Sequence, residues 1–159
     1  MISGSRREFL KSALAAAALP AIAAARELKR VEHGLRGRHE IVPVAAVSRT
    51  LQSNALVYLP AKYDSSKRKK WPLLVWLHGA SGRGSNLEMV KRYGPPRVAE
   101  STGDFPFVIV SPQCPPGQLW NDAPAIVALT DQMERAFRID RKKVCLTGLS
   151  MGGGGAWFV

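Results

Sequence analysis

The chain has 159 residues, 46% of them apolar and 22% charged, with a formal charge of +11 from 23 Lys and Arg against 12 Asp and Glu. That length and balance suit one ordinary domain and exclude a disordered, collagen-like or cysteine-stapled protein. The excess is one-sided, with 14 basic and 5 acidic side chains in residues 1–70 but 9 and 7 in residues 71–159. No zinc-finger spacing, aromatic RNA-binding strand or basic heptad accompanies it, so nucleic acid is not an expected partner.

Ser5-Arg6-Arg7-Glu8-Phe9-Leu10-Lys11 precedes an uncharged, alanine-rich stretch over residues 12–25. That stretch is too short for a membrane span, which needs about 20 apolar residues, so no stable membrane anchor is expected. A basic segment, a weakly apolar segment and then small residues are the order of a signal peptide, and the paired arginines resemble the bacterial twin-arginine export signal. The resemblance implies cleavage near Ala23 or Ala25, the twin-arginine machinery as a partner, and a periplasmic or secreted destination. An alanine-rich helix belonging to the fold is the plainer alternative, but the stretch has no polar face. The sequence thus divides into a signal peptide at 1–25, a polar basic segment at 26–49 and a domain from 50 onward.

Within the polar segment only residues 40–47 look strand-like. Residues 54–59 read as a short strand ended by Pro60, and 62–70 as a charged connection. Its Lys67-Arg68-Lys69-Lys70 run fits a solvated turn better than a nucleic-acid patch. After Pro72, residues 73–77 form a continuous apolar run, as expected of a strand covered on both faces in a parallel sheet.

His78-Gly79-Ala80-Ser81-Gly82-Arg83-Gly84 follows at once, with three glycines in seven residues. As a phosphate cradle the loop lacks the required lysine. As an oxyanion loop it would offer a backbone N–H, most plausibly that of Ala80, to a developing negative oxygen. His78 more plausibly fixes the loop than acts as a ligand or base.

Residues 105–110 are predicted as a further buried strand. Residues 123–137 place Ile126, Leu129, Met133 and Phe137 on one face of a helix, capped by Asn121 or Asp122. Residues 138–143 read as a basic turn and 144–147 as an apolar strand.

That strand leads into Gly148-Leu149-Ser150-Met151-Gly152. G-x-S-x-G between a buried strand and a helix is a nucleophile elbow, whose tight turn projects the serine hydroxyl and crowds out side chains two residues to either side. Ser150 is then the candidate nucleophile, Met151 the donor of the second oxyanion N–H, and Gly79, Gly148 and Gly152 the loop and elbow glycines. A glycine-rich turn with a merely capping serine is the alternative.

These residues resemble the α/β-hydrolase superfamily. The segments Leu77-His78-Gly79-Ala80-Ser81-Gly82, Val110-Ser111-Pro112-Gln113-Cys114-Pro115 and Leu146-Thr147-Gly148-Leu149-Ser150-Met151-Gly152-Gly153 are similar to its phospholipase/carboxylesterase-like, dienelactone-hydrolase-like and predicted-peptidase branch. The resemblance runs from about residue 54 to the C-terminus and departs at Gly154, where such proteins often carry a larger residue. It implies the N-terminal portion of a mostly parallel sheet flanked by helices. The activity implied is a serine esterase acting on small or polymeric esters, with no metal and no cofactor; a peptidase of the same fold and a non-catalytic remnant are the alternatives.

In this fold the triad acid and histidine follow the serine. Residues 151–159 contain neither, so the chain is expected to be an inactive N-terminal fragment whose last strand leaves an apolar edge in water. Cys114 and Cys145 are too few for a framework or a zinc site, though a single bridge is open to them in an oxidising compartment.

Overall fold

The computed structural model describes residues 26–30, 36–46 and 48–159. The twin-arginine segment and Val47 lie outside the described residues. Five strands form one sheet: β1 (His39–Pro43), β2 (Asn54–Tyr58), β3 (Trp71–Leu77), β4 (Val108–Pro112) and β5 (Ile139–Gly148), in the order β1-β2-β4-β3-β5. β1 and β4 both pair antiparallel with β2, whereas β3 pairs parallel with both β4 and β5. The sheet is therefore mixed, and its parallel part is the half that carries the glycine-rich turns.

Alternation along the strands divides the apolar residues between two cores. Leu73, Val75 and Leu77 of β3 face one way with Val108 and Val110 of β4, beneath Ile126, Leu129 and Met133. Leu74 and Trp76 face the other way with Ile109, Val90 and Ala99. Both faces of β3 are thus buried, which is why its apolar run does not alternate with polar residues.

Helices that flank the sheet include α1 (Gly94–Thr102), α2 (Ala123–Ala136) and α3 (Met151–Ala156). Asp122 caps α2 by accepting from the Ala125 N–H at 3.1 Å. Buried Gln132 of α2 donates to the Pro43 carbonyl at 2.8 Å and accepts from the Ala45 N–H at 2.9 Å, tying the helix to the chain leaving β1. Helix α1 has no apolar signature in the sequence and ends where Gly103 adopts φ 64°.

Three sequence-based boundaries move. The first strand is His39–Pro43 rather than 40–47. The fourth is Val108–Pro112 rather than 105–110, because Phe105 and Phe107 pack against the second core outside the ladder. The basic turn expected at 138–143 lies largely within β5. The ladder is nevertheless broken there, since Trp71 pairs with Ile139 but Leu73 already pairs with Val144. Pro72 lacks the N–H that a continuous ladder would use.

β5 is the outer strand of the parallel half. Val144 and Leu149 are 37% and 44% exposed, and beyond α3 Trp157 is 92% exposed. Cys145 lies exposed on this edge while Cys114 is buried, and both thiols are free. Among the described residues, no helix is long and apolar enough to cross a membrane.

Candidate active site

Parallel pairing of β3 with β5, ending at Leu77 opposite Gly148, brings the turns after both strands to the same end of the sheet. The first turn is fixed from within. His78 is buried; its Nε2 accepts the Cys114 N–H at 3.0 Å and its Nδ1 lies 2.7 Å from the Gly79 carbonyl oxygen. That pattern makes the ring neutral with the proton on Nδ1, which donates to Gly79. Burial pushes its pKa below the ordinary histidine value, opposed by the bond to Gly79. With both nitrogens engaged, His78 holds the loop and has none left for a base at Ser150.

Around this ring the loop closes tightly. Gly82 donates to the Gly79 carbonyl at 2.9 Å, and a Cβ on Gly82 would lie 2.6 Å from the His78 ring. Gln113 donates from Nε2 to the carbonyls of Gly82 and Asn86 at 2.8 and 2.9 Å. Trp120 donates from Nε1 to the His78 carbonyl at 2.9 Å and sets its ring edgewise against the imidazole, centroids 5.0 Å apart. Gln113, the Cys114 amide and Trp120 are supports that the sequence does not reveal, because each acts on a residue far away in the chain.

The second turn is the elbow. Ser150 adopts φ 52° and ψ −113°, the one non-glycine positive φ among the described residues. Such a conformation costs about 1–3 kcal/mol and persists only where the surroundings hold it. Here Leu149 donates to the Leu77 carbonyl at 3.1 Å, and Gly152 and Gly154 donate to the carbonyls of Leu149 and Ser150 at 2.8 and 2.9 Å. A Cβ on Gly152 would overlap the Leu77 carbonyl, and one on Gly148 would overlap Gly152 and lie 2.7 Å from the Leu77 oxygen. Glycine at both positions has a steric cause.

Ser150 is exposed and does not cap α3 with its side chain, which removes the capping-serine alternative. The two turns touch: a Cβ on Gly79 would sit 3.3 Å from the Leu149 carbonyl oxygen and 3.8 Å from the Ser150 Cβ. Ala80 opens a 3-10 turn and Met151 opens α3. Neither amide has a hydrogen-bond acceptor among the described residues, as expected of first-turn donors. The candidate oxyanion donors therefore lie on adjoining turns with both N–H groups unspent. A methyl group added at Gly154 would meet nothing within 4 Å, so the departure there leaves space open rather than reflecting a close contact.

Among the described residues no second histidine lies near Ser150: His39, the first residue of β1 at the opposite edge of the sheet from β5, is tied by Nε2 to the Pro96 carbonyl at 3.0 Å. No cluster of three or more His, Cys, Asp or Glu fit to hold a metal occurs among the described residues.

No protein-family model and no curated protein matches the chain. Solved structures do. A thermostable esterase matches at 26% identity and TM-score 0.52 over 66% of this chain and 32% of its own. A ferulic acid esterase matches at 26% identity and TM-score 0.47 over 65% and 46%. A second, from the anaerobic fungus Anaeromyces mucronatus, matches at 20% identity and TM-score 0.49 over 72% and 50%. The chain spans about a third to a half of the length of these proteins. Its mixed sheet, flanking helices and likeness to the thermostable esterase give it the fold of the α/β-hydrolase superfamily.

Proposed function

We propose that this chain is the N-terminal part of an exported serine esterase in which Ser150 is the nucleophile. The observation that carries the reading is Ser150 at positive φ on a turn closed by two obligatory glycines, beside two amides without acceptors. The serine oxygen attacks the carbonyl carbon of a carboxylic ester, and the resulting oxyanion lies between the Ala80 and Met151 N–H groups. Collapse expels the alcohol, and water then releases the acyl group from the serine. The proton leaving Ser150 goes to a histidine other than His78, whose ring nitrogens are both committed; in this fold that histidine follows the serine in the chain.

The outer edge of β5 supports the same reading over residues 144–146, its apolar part, where exposed Val144 and Cys145 call for a further strand. The paired arginines at 6 and 7 and the small residues before position 26 support export through the twin-arginine machinery. Two experiments test the proposal. The coding sequence beyond Val159 should continue in frame through an Asp or Glu and then a His; a stop codon there contradicts it. The protein carrying that continuation should hydrolyse p-nitrophenyl acetate, and Ser150→Ala should abolish this. Undiminished turnover by the alanine variant would overturn Ser150 as nucleophile.

A further inference from the structure

At the end of the sheet opposite the elbow, pairing of Trp71 with Ile139 brings together two basic runs far apart in sequence. The Trp71 amide donates to the Arg138 carbonyl at 2.8 Å, so residues 67–70 lead into β3 at the end of the sheet where residues 141–143 occupy the register break of β5 opposite Pro72. All seven are Lys or Arg, and all are exposed. The nearby carboxylates do not neutralise them. Partial burial would raise the pKa of Asp64, but hydrogen bonds from Arg138, Arg36 and Lys67 outweigh it and hold the value at about 2, so this one carboxylate is shared among three cations. Arg141 and Lys143 reach Glu134 and Asp140 at 3.1 and 3.6 Å. Arg68, Lys70 and Lys142 have no carboxylate within ion-pair distance among the described residues.

Crowding like charges on one end opposes the compact state. Lys67, Lys69, Arg141 and Lys143 are partly used by the fold, through ion pairs and the Trp71 ring. Arg68, Lys70 and Lys142 make no such ion pair among the described residues, and the ester chemistry uses none of the seven. The seven-residue β3 separates them from the elbow by about 20 Å at ~3.3 Å per residue.

We propose that this basic end is a docking surface for an anionic phospholipid bilayer, holding the protein with its elbow turned away from the membrane. The chemistry of the patch favours this occupant. Five of the seven cations are lysines, point charges rather than bidentate forks. Neither run contains an apolar residue to insert. Trp71, the nearest aromatic, is buried beneath Lys69, whose Nζ lies 3.7 Å from its ring centroid, so no stacking platform for bases or sugars is on offer. Such a surface gathers charge from a plane of headgroups, reversibly and in a salt-dependent way.

The test is co-sedimentation of the protein begun at residue 26 and extended through its own reading frame past Val159, with vesicles of phosphatidylcholine alone or with about a third phosphatidylglycerol. The chain should sediment with the anionic vesicles, be released at ~0.5 M salt, and ignore the neutral ones. Arg68→Gln/Lys70→Gln/Lys142→Gln breaks no ion pair and should weaken binding by about a hundredfold, at ~1 kcal/mol for each of three cations. Arg68→Lys/Lys70→Arg/Lys142→Arg should restore it. All variants lack the N-terminal 25 residues, so the leader's own basic residues do not contribute and a difference between them belongs to the patch. Unchanged binding by the glutamine variant, equal binding to neutral vesicles, or tighter binding to soluble heparin than to vesicles would each overturn the proposal.

Discussion

Two glycine-rich segments sit side by side at the head of β3 and β5, and they are glycine-rich for different reasons. In the elbow, Gly148 and Gly152 stand where backbone passes against backbone, at the Leu77 carbonyl and at each other. In the first turn the close approach is to a side chain, with Gly82 lying under the His78 ring, while Gly79 has only a moderately tight neighbour. Backbone crowding cannot be relieved by a rotamer change. The elbow should therefore tolerate less than the loop, although in sequence the two runs look equally permissive.

Substitutions can break this comparison. The largest effect is expected from Gly152→Ala, whose methyl overlaps the Leu77 carbonyl and should cost about 3 kcal/mol or more, read by urea unfolding followed through tryptophan fluorescence. A loss under ~1 kcal/mol would mean that the elbow relaxes and that its geometry is not dictated by contact.

Next is His78→Ala, which strands the Cys114 amide and the Gly79 carbonyl and empties the space against Trp120. We expect about 2–4 kcal/mol by the same assay. It should also quench less of the Trp120 fluorescence, since the ring loses its imidazole neighbour.

A pH series sharpens the same point. His78 is neutral in the folded chain, and burial holds its pKa below the ordinary value; burial does the same to His39, opposed by its bond to Pro96. The unfolded chain takes up protons first, so this stability is complete above pH ~6.5 and is lost as pH falls through the depressed folded values. Unfolding midpoints should decline from about pH 7 to 5, and His78→Gln should flatten the slope. A midpoint rising with acidity would contradict the assigned tautomer.

The smallest effect, with opposite sign, is expected at Gly154. It lies in α3 with no neighbour within 4 Å of an added methyl, so Gly154→Ala should stabilise by about 0.5–1 kcal/mol through helix propensity alone. A destabilised variant would show that the elbow helix is crowded on its outer face as well.

The parts of the fold that are legible in sequence are those whose cause is local. The run Leu73-Leu74-Val75-Trp76-Leu77 reads as a covered strand because both of its faces are filled, and Ile126, Leu129 and Met133 read as a helix face because all three are buried. The elbow is legible because its glycine-serine-glycine spacing is itself local, although the crowding that demands Gly152 comes from the Leu77 and His78 carbonyls far away in the chain. Helix α1 is hidden because Gly94-Pro95-Pro96 reads as a break, although proline is compatible with the first helical turn. Residues 105–107 read as strand because packing outside a ladder demands the same apolar side chains as packing within one. Gln113 and Gln132 give no signal because their partners are distant in the chain, and a buried amide is indistinguishable in sequence from a surface one.

The central claim is that the strained serine, on a turn adjoining the loop of Ala80, is chemically armed once its downstream partners are present. The most direct measurement is labelling by a fluorophosphonate of the protein extended through its own reading frame past Val159, with the adduct mapped by peptide mass spectrometry. Stoichiometric modification of Ser150, reduced at least tenfold when Gly152 is alanine, is the predicted result. An unlabelled Ser150, or an adduct on another serine, would contradict it.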